Sequence, residues 1–443
     1  MPSLTRPLRS LAYELEAGTT TSEELAQCSL DAITTDRRAF SWVDSTGALS
    51  QARTMDALRR AGQAPSTYAG IPISVKDLFD IQGQPTPAGS VILREASPAL
   101  TDAPILTRLK AAGFVVIGRT QMSEFAFTGL GLNPHGPQPV NPADPIRVPG
   151  GSSSGAAVSV GLGQVAAAIG TDTGGSVRIP AAFCGLTGFK PTQARITRSG
   201  AFPLSTTLDS IGPIARSVED CAILDAFMAD QPIACVAPPD IASLRLGVPN
   251  HYLLDDLDHD VAQAWSRVLT ALSKAGARLE AFDFPELDTI PAMNANGSIS
   301  SAEAFAFHRR AGLLGQRRMY DPNVLARIEL GEGMSAAAYL DLIDARQGLI
   351  RAAAPRTAPF DAVICPTVPI VAPPIDAMGD PGAFRAANAL ALRNTSVANL
   401  LDRCALSLPM PTEFAPCGLM LMANTLADAR LLSIGRAIEP LLN

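Results

Sequence analysis

Lysine and histidine are scarce in this chain. Among 443 residues there are only four lysines (Lys76, Lys110, Lys190, Lys274) and four histidines (His135, His251, His259, His308), so few side chains can serve as a nitrogen base. No segment concentrates Lys and Arg, and 35 basic against 42 acidic residues leave a formal charge of -7. That balance argues against phosphate-backbone binding, and no nucleic-acid partner is expected. The seven cysteines (Cys28, Cys184, Cys221, Cys235, Cys365, Cys404, Cys417) are scattered, with no CxxC pair. Neither a disulfide framework nor a zinc site is indicated; they read as small hydrophobes in a reducing cytoplasm. With no ligand cluster, no metal or organic cofactor is called for. No window approaches 18 uninterrupted apolar residues, and the start MPSLTRPLRS leads into a polar helix without an apolar h-region. Neither a membrane span nor a signal peptide is therefore expected.

What is present is a globular composition, 47% hydrophobic and 17% charged, sufficient for a large core. From about Ser10 to Arg60 apolar residues recur at helical spacing until Gly62 stops the pattern. Gly70 to Phe79 reads as a short apolar strand containing one lysine. Asp102 is placed as an N-cap with Pro104 in the first turn and Gly113 as the stop, followed by the β-branched strand FVVIG. Helix then strand recurs at Ala156 to Gly163 with Val165 to Gly170, and at Val261 to Gly276 with Arg278 to Phe282. Near the end DAVICPTVP reads as a strand and Ala427 to Leu442 as a helix. This alternation predicts an α/β fold with a large, mainly parallel or mixed sheet. The Pro-rich patch from Pro232 to Asp240 is read as a surface excursion, which leaves a single domain.

The densest chemical signal is PGGSSSGAAVSVGLGQVAAAIGTDTGGSVRIPAAFCGLTGFKP, from Pro149 to Pro191. Two Gly/Ser clusters flank small apolar residues, which separates them from flexible linkers. The helix after the first cluster spans roughly 15 Å and the following strand roughly 17 Å. If the strand runs back along the helix, Ser152 and Ser176 meet at one edge. Consecutive glycine N–H groups beside Ser176 suit an oxyanion hole. A serine nucleophile needs a base, and no histidine here sits in a signature context. Lys110 and Lys274 fall on amphipathic helices and are read as solvated. Lys76 lies among Ile71, Ile73, Val75 and Phe79, where desolvation would lower its pKa from about 10.4 towards neutrality. That environment fits a neutral base and also a buried pair with Asp77 or another carboxylate. Gly151 to Gly155 also fits the GxSxG elbow of α/β-hydrolases with Ser153 at its centre, but that motif needs a preceding strand, and RVPGG is a poor one.

The combination GIPISVKDLFD, PGGSSSGAA and GTDTGGSVRIPAAFCGLTGFKPT resembles the amidase signature family of Ser-Ser-Lys amide hydrolases. DAPILTRLKAAGFVVIGRTQMSEFAF, NPHGPQPVNP, LDSIGPIARSVED, CPTVP, RNTSVANLL and the closing helix extend the likeness along most of the chain. The resemblance implies that Ser176 is the nucleophile, Ser152 the proton relay and Lys76 the neutral base, with a cis peptide at Gly151-Ser152. It implies an oxyanion hole from the N–H groups of Thr173, Gly174, Gly175 and Ser176. Asp172 and Arg178 would support that loop, with Gly151 and Ser153 beside it, and Phe127 and Thr128 are candidate substrate contacts. The implied fold is one domain over 1–443: a helical part (1–65), a catalytic core (66–225) and a C-terminal part (226–443) completing the sheet and pocket.

The expected activity is cofactor-free hydrolysis of a small carboxamide, carbamate or urea-like compound by a cytoplasmic enzyme, as a homodimer or with a small accessory subunit. The alternative is the A subunit of a tRNA-dependent amidotransferase. A silent scaffold is disfavoured because all three reactive residues are present. TQARIT after GFKP, KDLFD and RCALSLPM depart from the family's usual TYGRVS, KDNID and GLPAISVP, which leaves the substrate open.

Overall fold

A computed structural model describes residues 3–233, 237–413 and 415–442. Cys235 and the centre of the Pro232 to Asp240 patch lie outside the described residues. The described residues hold eleven strands: β1 (Phe40–Val43), β2 (Pro72–Lys76), β3 (Val115–Thr120), β4 (Ala167–Asp172), β5 (Thr187–Lys190), β6 (Ser210–Ala215), β7 (Arg245–Pro249), β8 (Arg278–Phe282), β9 (Ala362–Pro366), β10 (Cys404–Pro409) and β11 (Gly418–Ala423). All join one sheet in the order β1-β3-β2-β4-β6-β5-β10-β11-β9-β7-β8.

The sheet is mixed, and helices wrap it. Parallel pairing is confined to two runs, β3-β2-β4 and β9-β7-β8. Edge strand β1 and the central strands pair antiparallel. The reason lies in the connections: β5 leads to β6, and β10 to β11, without an α-helical crossover, and a parallel pair needs one.

Helix feeding strand is found at Pro104–Ala111 with β3, Ser154–Gly161 with β4 and His259–Lys274 with β8, and the closing helix spans Asp428–Ile438. Two local expectations need correction. The stretch from Ser10 to Arg60 is not helical throughout: β1 (FSWV) separates Ser22–Thr35 from Ser45–Arg60. A capping box between Thr21 and Glu24 also starts a new helix after Leu8–Glu16. Asp102 is not the N-cap of its helix. Ala103 holds that position without a side-chain cap, while Asp102 accepts from Gln82 N and pairs with Lys110 Nζ at 2.6 Å. No helix among the described residues is long and apolar enough to cross a membrane.

Every residue of β2 (PISVK) and β4 (AAIGTD) is buried, as strands covered on both faces require. Their parallel register, with Val75 opposite Ile169, brings Lys76 and Thr171 to the same edge. The helix Ser154–Gly161 (SGAAVSVG) packs on these strands, and its small residues let the neighbouring chain come close: a Cβ on Gly155 would collide with the Ala39 carbonyl. Its N-terminus delivers Gly151 to Ser154 to the edge where Lys76 ends β2. The outer ends of parallel strands are where α/β folds place ligands.

Candidate active site

Lys76 is fully buried, and its Nζ donates to Ser152 Oγ at 2.7 Å and Thr171 Oγ1 at 2.9 Å. The pairing with Asp77 is not found. Strand alternation turns Asp77 to the opposite face, where Arg119 Nη1 lies 3.9 Å away. Burial strips water from the Lys76 ammonium and pushes its pKa down to about 7, against the pull of the Asp172 and Asp209 carboxylates. A neutral amine here keeps two N–H donors and one lone pair, so it can take a proton from Ser152 while donating to Thr171.

Ser152 follows a cis Gly151-Ser152 peptide. Gly151 N donates to Gly129 O (2.8 Å), and Ser123 N to Ser152 O (3.1 Å). Ser153 is no nucleophile elbow: no strand precedes it, and its buried Oγ donates to Thr171 O at 3.3 Å. Its N–H donates to Ser176 O at 3.2 Å, which fastens the two Gly/Ser clusters together. Ser176 lines a cavity of about 460 Å³, and no hydrogen bond from the described residues holds its Oγ.

Asp172, at the end of β4, organises the turn that carries Ser176. Its carboxylate accepts from Gly175 N (2.9 Å), Val177 N (3.2 Å), Arg178 Nε (3.0 Å) and Nη2 (2.8 Å), and Asn399 Nδ2 (3.0 Å). Although burial opposes its charge, the Arg178 guanidinium and these donors hold its pKa at about 2. The Gly175 amide is thus engaged by Asp172, whereas those of Gly174 and Ser176 have no acceptor among the described residues. Gly175 has φ +134, and a Cβ there would run into the Thr395 side chain.

Phe127 and Thr128 both line the cavity beside Gly174 and Ser176. None of the four histidines does. His308 is buried and bonded to Tyr320 (2.7 Å), with its pKa pushed down to about 4 by burial. Lys110 is half-buried in its ion pair and Lys274 is exposed. TQARIT and RCALSLPM lie away from this cavity, the first in a short 3-10 turn and the second as β10.

Several residues went unread in the sequence. Thr171 is the second partner of Lys76. The helix Pro381–Leu400 latches the turn from outside: Thr395 Oγ1 donates to Gly174 O (2.5 Å), Asn399 Nδ2 to Asp172 O (3.1 Å), and Asn388 Oδ1 accepts from Gly129 N (2.8 Å). Positions 388, 395 and 399 share one helix face, and that polar stripe on an otherwise apolar face was the available signal. Lys190 is a second buried lysine, donating to Pro191 O at 2.9 Å, with its pKa pushed down to about 8 by burial and the nearby Arg178 charge. Arg327, on the helix Pro322–Glu329, also reaches the cavity.

Comparison with known proteins identifies the family. The family described as Amidase matches residues 24–432. The 2-amino-5-chloromuconic acid deaminase of Comamonas testosteroni is 37% identical over 412 residues, covering 91% of this chain and 88% of that protein. The A subunit of the glutamyl-tRNA(Gln) amidotransferase from Roseiflexus castenholzii is 36% identical, again over 91% and 88% of the two chains. A crystal structure of an amidase superposes with a TM-score of 0.90 at 32% identity, covering 99% of this chain and 100% of that one. A match running nearly end to end, over a chain whose buried Lys76 rests on a serine beside a Gly/Ser turn, means that this protein belongs to the amidase family and hydrolyses amides.

Proposed function

We propose that this enzyme cleaves the C–N bond of a small carboxamide, carbamate or urea-like compound through an acyl-enzyme on Ser176. The observation that carries the reading is the 2.7 Å contact between Ser152 Oγ and a Lys76 amine held near pKa 7. Neutral Lys76 takes the proton of Ser152 as Ser152 takes that of Ser176, and Ser176 Oγ attacks the carbonyl carbon. The negative charge on the carbonyl oxygen is met by backbone N–H groups of Thr173, Gly174 and Ser176. The Gly175 N–H fixes the turn through Asp172. As the C–N bond breaks, Ser152 passes a proton to the leaving nitrogen and recovers one from Lys76. Water then enters by the same relay, and the acid leaves with Ser176 restored.

The six described cysteines are all free thiols, which supports a cytoplasmic location. The second reading is a chain that works inside a tRNA-dependent amidotransferase, favoured by the relatives that bear that name; under it the isolated chain would turn over no free amide and would need a partner. Intact-mass spectrometry after a fluorophosphonate should show one adduct on the wild type and none on Ser176→Ala. An adduct surviving in that variant removes Ser176 as nucleophile.

A further inference from the structure

Each buried arginine among the described residues holds at least one hydrogen bond within the fold, whereas half-buried Arg327 holds none. Arg178 meets Asp172 and Asn399, Arg119 reaches the Phe79 carbonyl, Arg346 the Leu400 carbonyl, and Arg403 the Thr357 hydroxyl. Arg327 makes no hydrogen bond or ion pair with any described residue, and its Nε is closed off from solvent. Its guanidinium lies over the Phe127 ring, 5.2 Å from the centroid, and lines the same cavity as Ser176. Among the described residues lining that cavity it is the sole ionisable one; the other polar groups are hydroxyls and amides such as Thr128, Asn294 and Ser298. Burial lowers its pKa only to about 10, so the cation persists at neutral pH. A desolvated cation with no counter-charge is costly. The fold leaves that charge open where a substrate must lie.

We propose that Arg327 is the specificity-determining residue of the pocket and binds a carboxylate carried by the substrate, which is therefore a small amide with a free acid group remote from the scissile bond. This rests on the amidase reading above. The guanidinium offers a planar fork that matches a carboxylate with two parallel bonds, and the Phe127 ring supports the cation from one side. A single cation with neutral hydroxyls around it fits one unit of negative charge. The wall has no second cation for a phosphate dianion. A cavity of about 460 Å³ suits a short molecule with the amide at Ser176 and the acid at Arg327.

The test pairs ω-carboxylated amides (succinamate, glutaramate, adipamate) with alkyl amides of equal length (butyramide, valeramide, hexanamide). Wild type should favour the best carboxylated member by at least about a hundredfold in kcat/KM, chiefly through KM. In Arg327→Met the ratio should collapse to about one, and Arg327→Lys should keep part of it because the charge remains. If the Met variant does not fold, the Lys and Gln variants carry the same comparison. A second readout needs no turnover: glutarate should slow fluorophosphonate labelling of Ser176 in wild type and much less in Arg327→Gln. Equal rates on both amide series, or a preference that survives Arg327→Gln, overturns the carboxylate proposal while Ser176 labelling leaves the amidase reading standing. Absence of labelling in wild type brings down the reading beneath it.

Discussion

The two walls of the cavity differ in how their charged groups are answered. On the side built from residues 76 to 178 the charged groups beside Ser176 are answered without a ligand: Lys76 rests on two hydroxyls, and Asp172 and Arg178 close on each other within a ring of donors and acceptors. The facing wall, from Asn294 to Leu330, ends in a cation that nothing among the described residues answers. The first wall is preorganised, as groups that meet a developing charge must be if no reorganisation is to accompany reaction. The second is left unfinished at the point where binding would finish it. On the proposed reading the reacting groups and the carboxylate-binding cation come from different stretches of the chain, and variants on each wall should differ in kind.

The largest effect is expected on the finished wall. Lys76→Ala removes the proposed base, and kcat for an amide should fall by about 10⁴-fold or more. An amine leaves only when protonated, whereas an alkoxide needs far less help. The loss on a matched ester should therefore be smaller by at least about tenfold, or about 1.4 kcal/mol of barrier. Ser152→Ala should show the same bias, read as kcat/KM on an isosteric amide and ester. Equal losses would mean that both residues serve only to activate Ser176.

Next in size is the ion pair that joins the catalytic turn to the helix Pro381–Leu400. Asp172→Asn leaves the Arg178 guanidinium buried without a counter-charge, and stability measured by urea unfolding should drop by about 3–5 kcal/mol. Adding Arg178→Met to that variant should recover part of the stability, because the unpaired charge is gone. It should not recover activity, because the Gly175 amide has lost its anionic anchor. Recovery of both would show that the turn holds its shape without Asp172.

Lys76, Ser152 and Ser176 could be read in the sequence because their signals are local: a lysine inside an apolar strand and two Gly/Ser clusters at a spacing set by one helix and one strand. The mixed centre of the sheet was harder to see. β5, β6, β10 and β11 are short, buried runs without alternation, so hydrophobic period says nothing about them. Lys190 escaped because its burial depends on neighbours distant in sequence. Arg327 escaped for a similar reason: on its own helix it is an ordinary arginine, and only the folded chain shows that no described carboxylate comes near it. Thr395 and Asn399 act across more than 200 residues of sequence separation, where spacing arguments carry no information.

The smallest effect is the one that pH alone produces, and it separates the walls again. Burial lowers the Lys76 pKa to about 7. In the proposed relay the neutral amine is the active form, so activity should be full above that value and should fall about tenfold per pH unit below it. Asp209 is half-buried, with its pKa raised to about 6 by desolvation, and its charge acts on Lys76. Protonating it on the acid side removes a negative neighbour and makes Lys76 easier to deprotonate, which blunts the fall below about 6. On the facing wall Arg327 stays charged until about 10, so the selectivity for a carboxylated amide should be flat across the whole acid limb. The measurement is log kcat/KM from about pH 5 to about 9.5 on one carboxylated and one neutral amide. Parallel curves that bend near 7 keep the two walls independent. Curves that diverge near 7 would mean that the charge on Lys76 is also felt by the carboxylate. A rate still climbing steeply at the alkaline end would make Lys76 an ordinary solvated lysine, against the burial from which its role as base is argued.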